Sequence, residues 1–223
     1  MKSSRLLLLL SAAASLIFLL VGPYTAGDWL VIFKVASILL LAVLGFRVNA
    51  LLGSALVICA LGDLLLGVRR LGGINAERLF LFGLGAFLVG HLVYIAMFRK
   101  YRPPDWWKPG PLRVFGIATI LVALGSVLGV LGNSLGPLLI PVVGYALVLA
   151  GMGISAMLAD LGNPLAAIGA LFFVASDAML AISKFHAPFP GKEPLIWITY
   201  YLAQLLIFLG VVRHHGKERR SRQ

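Results

Sequence analysis

Charged residues are scarce in this chain of 223 residues. They make up 12% of the sequence, and eight of them are acidic, whereas soluble domains carry about a quarter charged residues. Hydrophobic residues make up 61% of the chain, which leaves too little polar surface to cover a water-soluble globule. The composition therefore excludes an ordinary soluble domain and indicates a protein embedded in a membrane.

Cysteine and histidine are also rare. The single cysteine, Cys59, lies inside an apolar run, which excludes a disulfide framework or a cysteine-rich metal site within one chain. One of the four histidines, His91, falls within a long apolar segment, and zinc enzymes usually need three protein ligands. We therefore predict no metal site. A serine hydrolase is equally poorly supported, because the sequence shows no obvious Ser-His-Asp set.

Long apolar runs fill most of the sequence, and a helix of about 20 such residues crosses the hydrocarbon core of a bilayer. Open strands cannot satisfy their edges in lipid, and the runs are too long for barrel strands. The predicted fold class is all-α, a single polytopic transmembrane helical bundle of about eight helices. The predicted spans are 6–22, 28–46, 50–67, 77–98, 112–131, 136–158, 163–182 and 194–213.

The first apolar run follows Lys2 and Arg5, which gives the N-terminus the shape of a signal peptide. No clear A-x-A cleavage site follows the run. We therefore interpret it as a retained first helix.

Basic residues give the chain a net charge of +11, but they are clustered between the apolar runs and near the C-terminus. No soluble basic face is available to bind nucleic acid, so we expect these charges to lie beside anionic lipid headgroups and to set the topology. More Lys and Arg residues fall on the side that holds both termini. The sequence therefore predicts cytoplasmic termini, a basic cytoplasmic tail over residues 214–223, and a multi-pass protein of a bacterial inner (plasma) membrane.

Two segments of the sequence resemble each other. Residues 57–68 read VICALGDLLLGV and residues 171–182 read LFFVASDAMLAI, so each apolar helix carries one aspartate after a small residue. Four predicted spans separate the two segments, which gives them the same orientation in the membrane. This pattern suggests a parallel four-helix repeat.

Four ionisable side chains fall inside the apolar runs: Lys34, Asp63, His91 and Asp177. A charged group at membrane depth costs at least about 2.5 kcal/mol, so such residues usually face the bundle interior and have partners there. The predicted spans place Lys34 and the two aspartates at a similar depth in one half of the membrane, with His91 nearer the midplane. We expect them to form a site.

Further polar side chains lie in the fourth and eighth spans, and those of the eighth include two tyrosines at the depth of the aspartates. The residues are Tyr94, Tyr200, Tyr201 and Gln204. Structural interpretations remain open for all of these groups, because Lys34 could snorkel to the interface and the others could be hydrogen-bond partners between helices. We expect Trp197 to be an interface anchor.

Two carboxyl groups in a pocket of low dielectric constant permit acid–base chemistry. Both cannot be ionised there at low cost, so one is expected to hold a proton while the other acts as a carboxylate base. Glycosidases use this arrangement to cleave a bond through an oxocarbenium-like state. The sequence does not indicate which of Asp63 and Asp177 is the acid.

These residues together carry a resemblance to a known family. The segments are LGDLLL at 61–66, GHLVY at 90–94, SD at 176–177 and YYLAQ at 200–204. In this order and spacing they resemble the YhhN-type lysoplasmalogenase family, and the resemblance covers most of the chain. Lys34 matches the family's lysine in the second helix, although Val35 follows it here in place of the expected proline.

The resemblance implies hydrolysis of the vinyl ether bond of lysoplasmalogens to a fatty aldehyde and a glycerophospho-base. Asp63 and Asp177 would be the acid and base, and other residues would position water or the lysophospholipid headgroup. The positioning residues would be Lys34, His91, Tyr94, Tyr200, Tyr201 and Gln204. No cofactor is implied, and the expected partners are a lysophospholipid substrate in the bilayer and membrane lipids.

Two other functions fit the sequence. Paired aspartates and a lysine inside a parallel repeat would suit a small proton-coupled transporter. A non-catalytic assembly or lipid-binding protein is the third interpretation. A hydrolase needs a pocket that is closed at one end, whereas a transporter needs access to the aspartates from both sides of the membrane.

Overall fold

A computed structural model of the protein describes residues 2–22, 28–68, 74–132 and 134–221. Eight α-helices lie within these residues, and two short 3-10 turns, Asp28–Leu30 and Gly136–Leu138, precede the second and the sixth. The predicted all-α fold class is confirmed for this part of the chain. The helices are α1 (Lys2–Val21), α2 (Val31–Phe46), α3 (Ala50–Gly67), α4 (Ala76–Arg99), α5 (Pro111–Leu131), α6 (Leu139–Leu158), α7 (Leu165–Phe185) and α8 (Lys192–Ser221).

The helix ends follow local chemistry, and α3 has the bounds that the sequence predicts. It begins after Asn49, whose side-chain oxygen accepts hydrogen bonds from the N–H groups of Leu51 and Leu52 at 2.9 and 3.2 Å, as a capping residue does. The largest difference lies at the C-terminus, where α8 continues through residues 214–221 of the predicted tail. That segment contains good helix formers and no proline, so the helix continues beyond the apolar run. The predicted break at 69–73 lies outside the described residues.

The helices are long and apolar enough for a membrane. Seven of those described satisfy both conditions, and Val31–Phe46 is a shorter apolar helix that the 3-10 turn before it extends at one end. Their outer faces expose large apolar side chains, including Ile140 at 83%, Leu112 at 77% and Phe115 at 70%. Surfaces of this kind are matched by lipid and not by water. The chain is therefore an integral multi-pass membrane protein.

The helices form two compact units, Met1–Tyr94 and Ile95–Gln223. In the N-terminal unit, α2 packs against both α1 and α3. The buried hydroxyl of Ser11 on α1 donates a 2.7 Å hydrogen bond to the carbonyl of Ser37 on α2. Helix α4 approaches α3 closely, because Gly62 leaves room for the ring of Phe87.

In the C-terminal unit, α5, α6 and α7 pack against one another, and α8 packs along α7. Gly169 on α7 lies so close to α8 that a β-carbon there would stand 2.8 Å from the carbonyl oxygen of Ala203. Two hydrogen bonds also join the helices. Ser176 donates to the carbonyl of Ile196 at 3.0 Å, and the Asn163 side chain donates to the carbonyl of Gly210 at 3.0 Å.

The close approach at Gly169 predicts a specific steric effect. Gly169→Ala should lower the thermal unfolding temperature in detergent, because the methyl group meets backbone atoms that cannot rotate away; overpacking of this kind costs about 1–3 kcal/mol. Gly125→Ala is the matched control, since a β-carbon at Gly125 on α5 meets nothing within 4 Å. The control should be neutral or stabilising by up to about 1 kcal/mol. Equal unfolding temperatures for the two variants would contradict the packing described.

Candidate functional site

An ion pair is the central polar contact of the N-terminal unit. The ammonium of Lys34 on α2 lies 3.0 Å from Oδ1 of Asp63 on α3, and the Asp63 side chain is 1% exposed. Lys34 is 19% exposed, so it lies in an ion pair between helices and does not extend into the interface. A carboxylate buried this deeply is stable only with a compensating charge. The contact joins two of the residues that the sequence singles out.

Helix α4 contributes His91 and Tyr94, and both side chains are completely buried. Gly90 allows this helix to lie close to α3, because a β-carbon at that position would stand 2.9 Å from the sulfur of Cys59. Phe87, one turn before His91, packs over Gly62, which is next to Asp63 in the chain. The predicted residues of α4 are therefore core residues on the helix that packs beside the Asp63 helix.

The second aspartate has a partner that the sequence analysis did not name. The hydroxyl of Tyr145 on α6 donates a hydrogen bond to Oδ2 of Asp177 on α7. Tyr145 is buried and Asp177 is half-buried. The only available signal was a lone tyrosine in an otherwise apolar span, since a buried tyrosine hydroxyl usually has a hydrogen-bond partner.

Helix α8 brings three predicted residues next to the Asp177 helix. Tyr200, Tyr201 and Gln204 are buried, and the Gln204 amide donates to the Tyr200 hydroxyl at 3.2 Å. The Tyr200 ring contacts Phe173 edge-on, with 5.4 Å between the ring centroids. Phe173 lies one helical turn before Asp177 on α7, so this contact places the Tyr200 ring one turn along from the carboxyl group.

The expectation that Trp197 anchors the protein at the interface is wrong. Its side chain is 3% exposed and lies against Tyr200 and Tyr201, with ring centroids 5.6 and 6.0 Å apart. The sequence placed it near the end of a span, where tryptophans often face the headgroups. Helix α8 begins earlier, at Lys192, and Trp197 is buried in an aromatic cluster with the two tyrosines.

The two units hold their aspartates in the same way. In each unit the aspartate lies on the third helix and contacts a side chain of the second, Lys34 with Asp63 and Tyr145 with Asp177. The partners differ in charge, since one is an ammonium and the other a phenol. The N-terminal unit therefore holds a charge-compensated carboxylate, and the C-terminal unit holds a carboxyl group that accepts from a neutral donor.

The described residues contain no group of three or more His, Cys, Asp or Glu side chains that could hold a metal ion. The polar groups described above are carboxyl, ammonium, imidazole, phenol and amide groups. Such groups transfer protons and bind polar parts of a substrate.

Comparison with known proteins gives a clear family match. The model of the YhhN family matches residues 29–211, which include every predicted site residue. The resemblance predicted from the sequence is therefore confirmed. A comparison with solved structures gives no match.

Curated relatives carry the name lysoplasmalogenase. Lysoplasmalogenase of Mycobacterium tuberculosis (strain CDC 1551 / Oshkosh) is 35% identical over 70% of this chain and 58% of its own length. Human lysoplasmalogenase TMEM86B is 36% identical over 73% of this chain and 64% of its own. The mouse protein of that name is 32% identical over 92% of this chain and 85% of its own. The chain thus spans less than two thirds of the mycobacterial and human proteins.

The ion pair of the N-terminal unit predicts a pattern of stability. Lys34→Met should destabilise the protein by about 3–5 kcal/mol, because it leaves the buried Asp63 charge without its cation. Replacing both partners, as Lys34→Met with Asp63→Leu, should recover most of the loss. Thermal unfolding in detergent measures both effects.

Arg47→Met is the control for this experiment, since it removes an exposed cation just beyond the end of α2. It should change stability little. If the unfolding temperature of the double variant is no higher than that of Lys34→Met, the pair does not stabilise the unit by charge compensation.

Proposed function

Because this chain belongs to the YhhN family, we propose that it hydrolyses the vinyl ether bond of lysoplasmalogens to a fatty aldehyde and a glycerophospho-base. The observation that carries the proposal is that each unit holds one aspartate in contact with a polar side chain of the neighbouring helix. The names of the curated relatives support the same activity. The substrate is a lysophospholipid that reaches the protein from the bilayer.

The reaction consumes one water molecule and needs one acid and one base. The acid protonates the vinyl carbon distant from the oxygen, which leaves an oxocarbenium ion at the carbon bonded to that oxygen. The base removes a proton from water as the water adds to this carbon, forming a hemiacetal. The hemiacetal then breaks its bond to the glycerol oxygen, releasing the aldehyde and the free hydroxyl. A carboxylate close to the cationic carbon stabilises the intermediate.

The partners of the two aspartates distinguish their proposed roles. Asp63 pairs with an ammonium, which favours its carboxylate form, so we assign it the base. Asp177 accepts a hydrogen bond from the neutral hydroxyl of Tyr145, a donor that brings no positive charge, so we assign it the acid. In other hydrolases, too, two carboxyl groups act one as acid and one as carboxylate because their environments differ.

The remaining predicted residues are proposed to position the substrate and the water molecule. His91 and Tyr94 serve from α4, while Tyr200, Tyr201 and Gln204 serve from α8. All five are buried, and the hydrogen bond from Gln204 to Tyr200 fixes a polar pair within an apolar core. Lys34 acts through Asp63 as a positioning residue.

We further propose that the protein lies in a bacterial inner membrane with both termini in the cytoplasm. The distribution of Lys and Arg residues supports this orientation, because positive charge is enriched in cytoplasmic segments. The basic residues of the α4–α5 connection and of α8 then lie on the cytoplasmic side.

Substitution of either aspartate tests the proposal. Purified protein should release fatty aldehyde from a lysoplasmenylethanolamine, as measured by mass spectrometry of the aldehyde. Asp63→Asn and Asp177→Asn should each lower kcat at least about 100-fold, since a general acid or base contributes about 10²- to 10⁴-fold. Glu77→Gln on α4 and Glu193→Gln on α8 are the controls, because these acidic residues are exposed in the first turns of their helices. Both should keep the activity of the unmodified protein.

Full turnover by either asparagine variant would reject the acid–base roles. If no form of the protein releases aldehyde and proton flux into vesicles depends on the aspartates, the transporter is favoured instead.

The hydrogen bond on Asp177 makes a separate prediction for Tyr145. Tyr145→Phe should lower kcat about 5- to 10-fold, the value of one hydrogen bond of about 1 kcal/mol, with little change in KM and a loss of stability of about 1 kcal/mol. In the Asp177→Asn background the same substitution should cause no further loss, because the group it orients is already gone. Additive effects of the two substitutions would show that Tyr145 acts independently of Asp177.

A further inference from the structure

One end of the C-terminal unit concentrates positive charge. It is formed by the end of α4, the α4–α5 connection, the start of α5, the α6–α7 turn and the last part of α8, and we call it the basic end. The acidic residues whose side chains the structure describes in these segments are Asp105 and Asp160. Its described cations are Arg99, Lys100, Arg102, Lys108, Arg113, Arg213 and Lys217.

Specific contacts hold these distant segments together. The backbone N–H of Asp160 donates to the carbonyl of Tyr101 at 2.8 Å, and the ring of Tyr101 packs edge-on against His214, with 5.1 Å between ring centroids. The ammonium of Lys217 donates to the carbonyl of Gly162 at 3.0 Å. The cations therefore share one surface as a result of the fold and not only of their order in the sequence.

A cleft of about 200 Å³ opens on this surface. Arg113, Asp160 and Asn163 line its polar part, while Leu112 and Met157 contribute to its apolar wall. The cleft therefore has one side suited to a charged group and another suited to a hydrocarbon chain.

The surroundings of the cleft match the boundary between headgroups and hydrocarbon. Trp106 and Trp107 in the α4–α5 connection are 40% and 61% exposed, and tryptophans favour this boundary. Leu112 and Phe115 lie three residues apart on α5 and are 77% and 70% exposed, so they present one apolar face to the lipid tails.

We propose that the basic end binds an anionic glycerophospholipid. Its phosphate lies between Arg113 and Lys217, and an acyl chain lies along the apolar wall of the cleft. Charge complementarity favours this occupant, because positive charge exceeds negative charge on the surface. A soluble phosphate would leave the apolar wall uncovered.

The present partners of the two cations leave them able to bind a phosphate. Arg113 lies 3.7 Å from Asp160, and the side chains are 35% and 57% exposed, so the pair is weak in water. A guanidinium has five N–H donors and an ammonium has three. The bond of Lys217 to a carbonyl therefore still leaves donors for phosphate oxygens. Neither of the two proposed catalytic aspartates is among the residues of this surface, and lipid binding there does not depend on the hydrolase activity.

Native mass spectrometry of the full chain tests the proposal. The protein in neutral detergent is given equal amounts of phosphatidylglycerol and phosphatidylcholine, and bound lipid is counted. We expect the unmodified protein to retain at least about ten times more phosphatidylglycerol than phosphatidylcholine. The double variant Arg113→Gln with Lys217→Gln should retain about ten times less phosphatidylglycerol, because it has lost two charges near the membrane surface. Thermal unfolding without added lipid checks that this variant is folded.

The matched control removes two charges from the opposite end of the same unit. Lys184 lies in the last turn of α7 and Lys192 begins α8, so Lys184→Gln with Lys192→Gln should keep the phosphatidylglycerol preference. Equal loss in the two double variants, or no loss in either, would overturn the proposal. Displacement of the lipid by inorganic phosphate would also overturn it, because the surface would then recognise a free anion.

Discussion

Compensation of buried charge is the constraint on which this structure depends. An isolated carboxylate in an apolar interior is costly enough that it is protonated or paired, and Asp63 is 1% exposed. Its contact with Lys34 therefore fixes how α2 and α3 lie against each other, because sliding one helix past the other by a turn would separate the charges. In the C-terminal unit the hydrogen bond from Tyr145 to Asp177 restrains α6 and α7 in a similar way, because sliding one helix past the other would break it. Small residues such as Gly62 and Gly169 allow the neighbouring helices to approach closely enough for such contacts.

The shared arrangement of the two units supports the repeat that the sequence suggests. In both, the second helix supplies the partner and the third supplies the aspartate, although the two segments have little sequence in common beyond that residue. The proposed acid and base roles depend on the difference between the partners and not on their likeness. A symmetric pair of lysines would hold both groups as carboxylates and leave no acid. Lys34 in one unit and Tyr145 in the other give the two carboxyl groups different environments, which acid–base catalysis requires.

The helices and the burial of several site residues could be predicted from the sequence, but the contacts between helices could not. Apolar runs and turn residues predict the spans, and α3 has the expected bounds because Asn49 caps its start. Charge inside an apolar run predicts that Asp63 is buried and paired. The identity of a partner depends on how each helix is rotated and packed. The apolar residues of α6 are spread almost evenly around the helix, so its sequence does not indicate which face is buried. Tyr145 was therefore missed, and Trp197 was placed at the interface although the rotation of α8 turns it inward.

The scarcity of acidic residues links the interior of the protein to its surface. The chain has 19 basic and eight acidic residues, so most of its cations have no protein carboxylate to balance them. Inside the helices both aspartates have partners within the protein, Lys34 for Asp63 and the hydroxyl of Tyr145 for Asp177. At the basic end the same imbalance is left in place, with Arg113 beside a partly exposed Asp160 and Lys217 on a backbone carbonyl. Phosphates of the bilayer are the nearest abundant anions at that level of the protein. The membrane therefore completes the charge balance of the fold as well as covering its apolar faces.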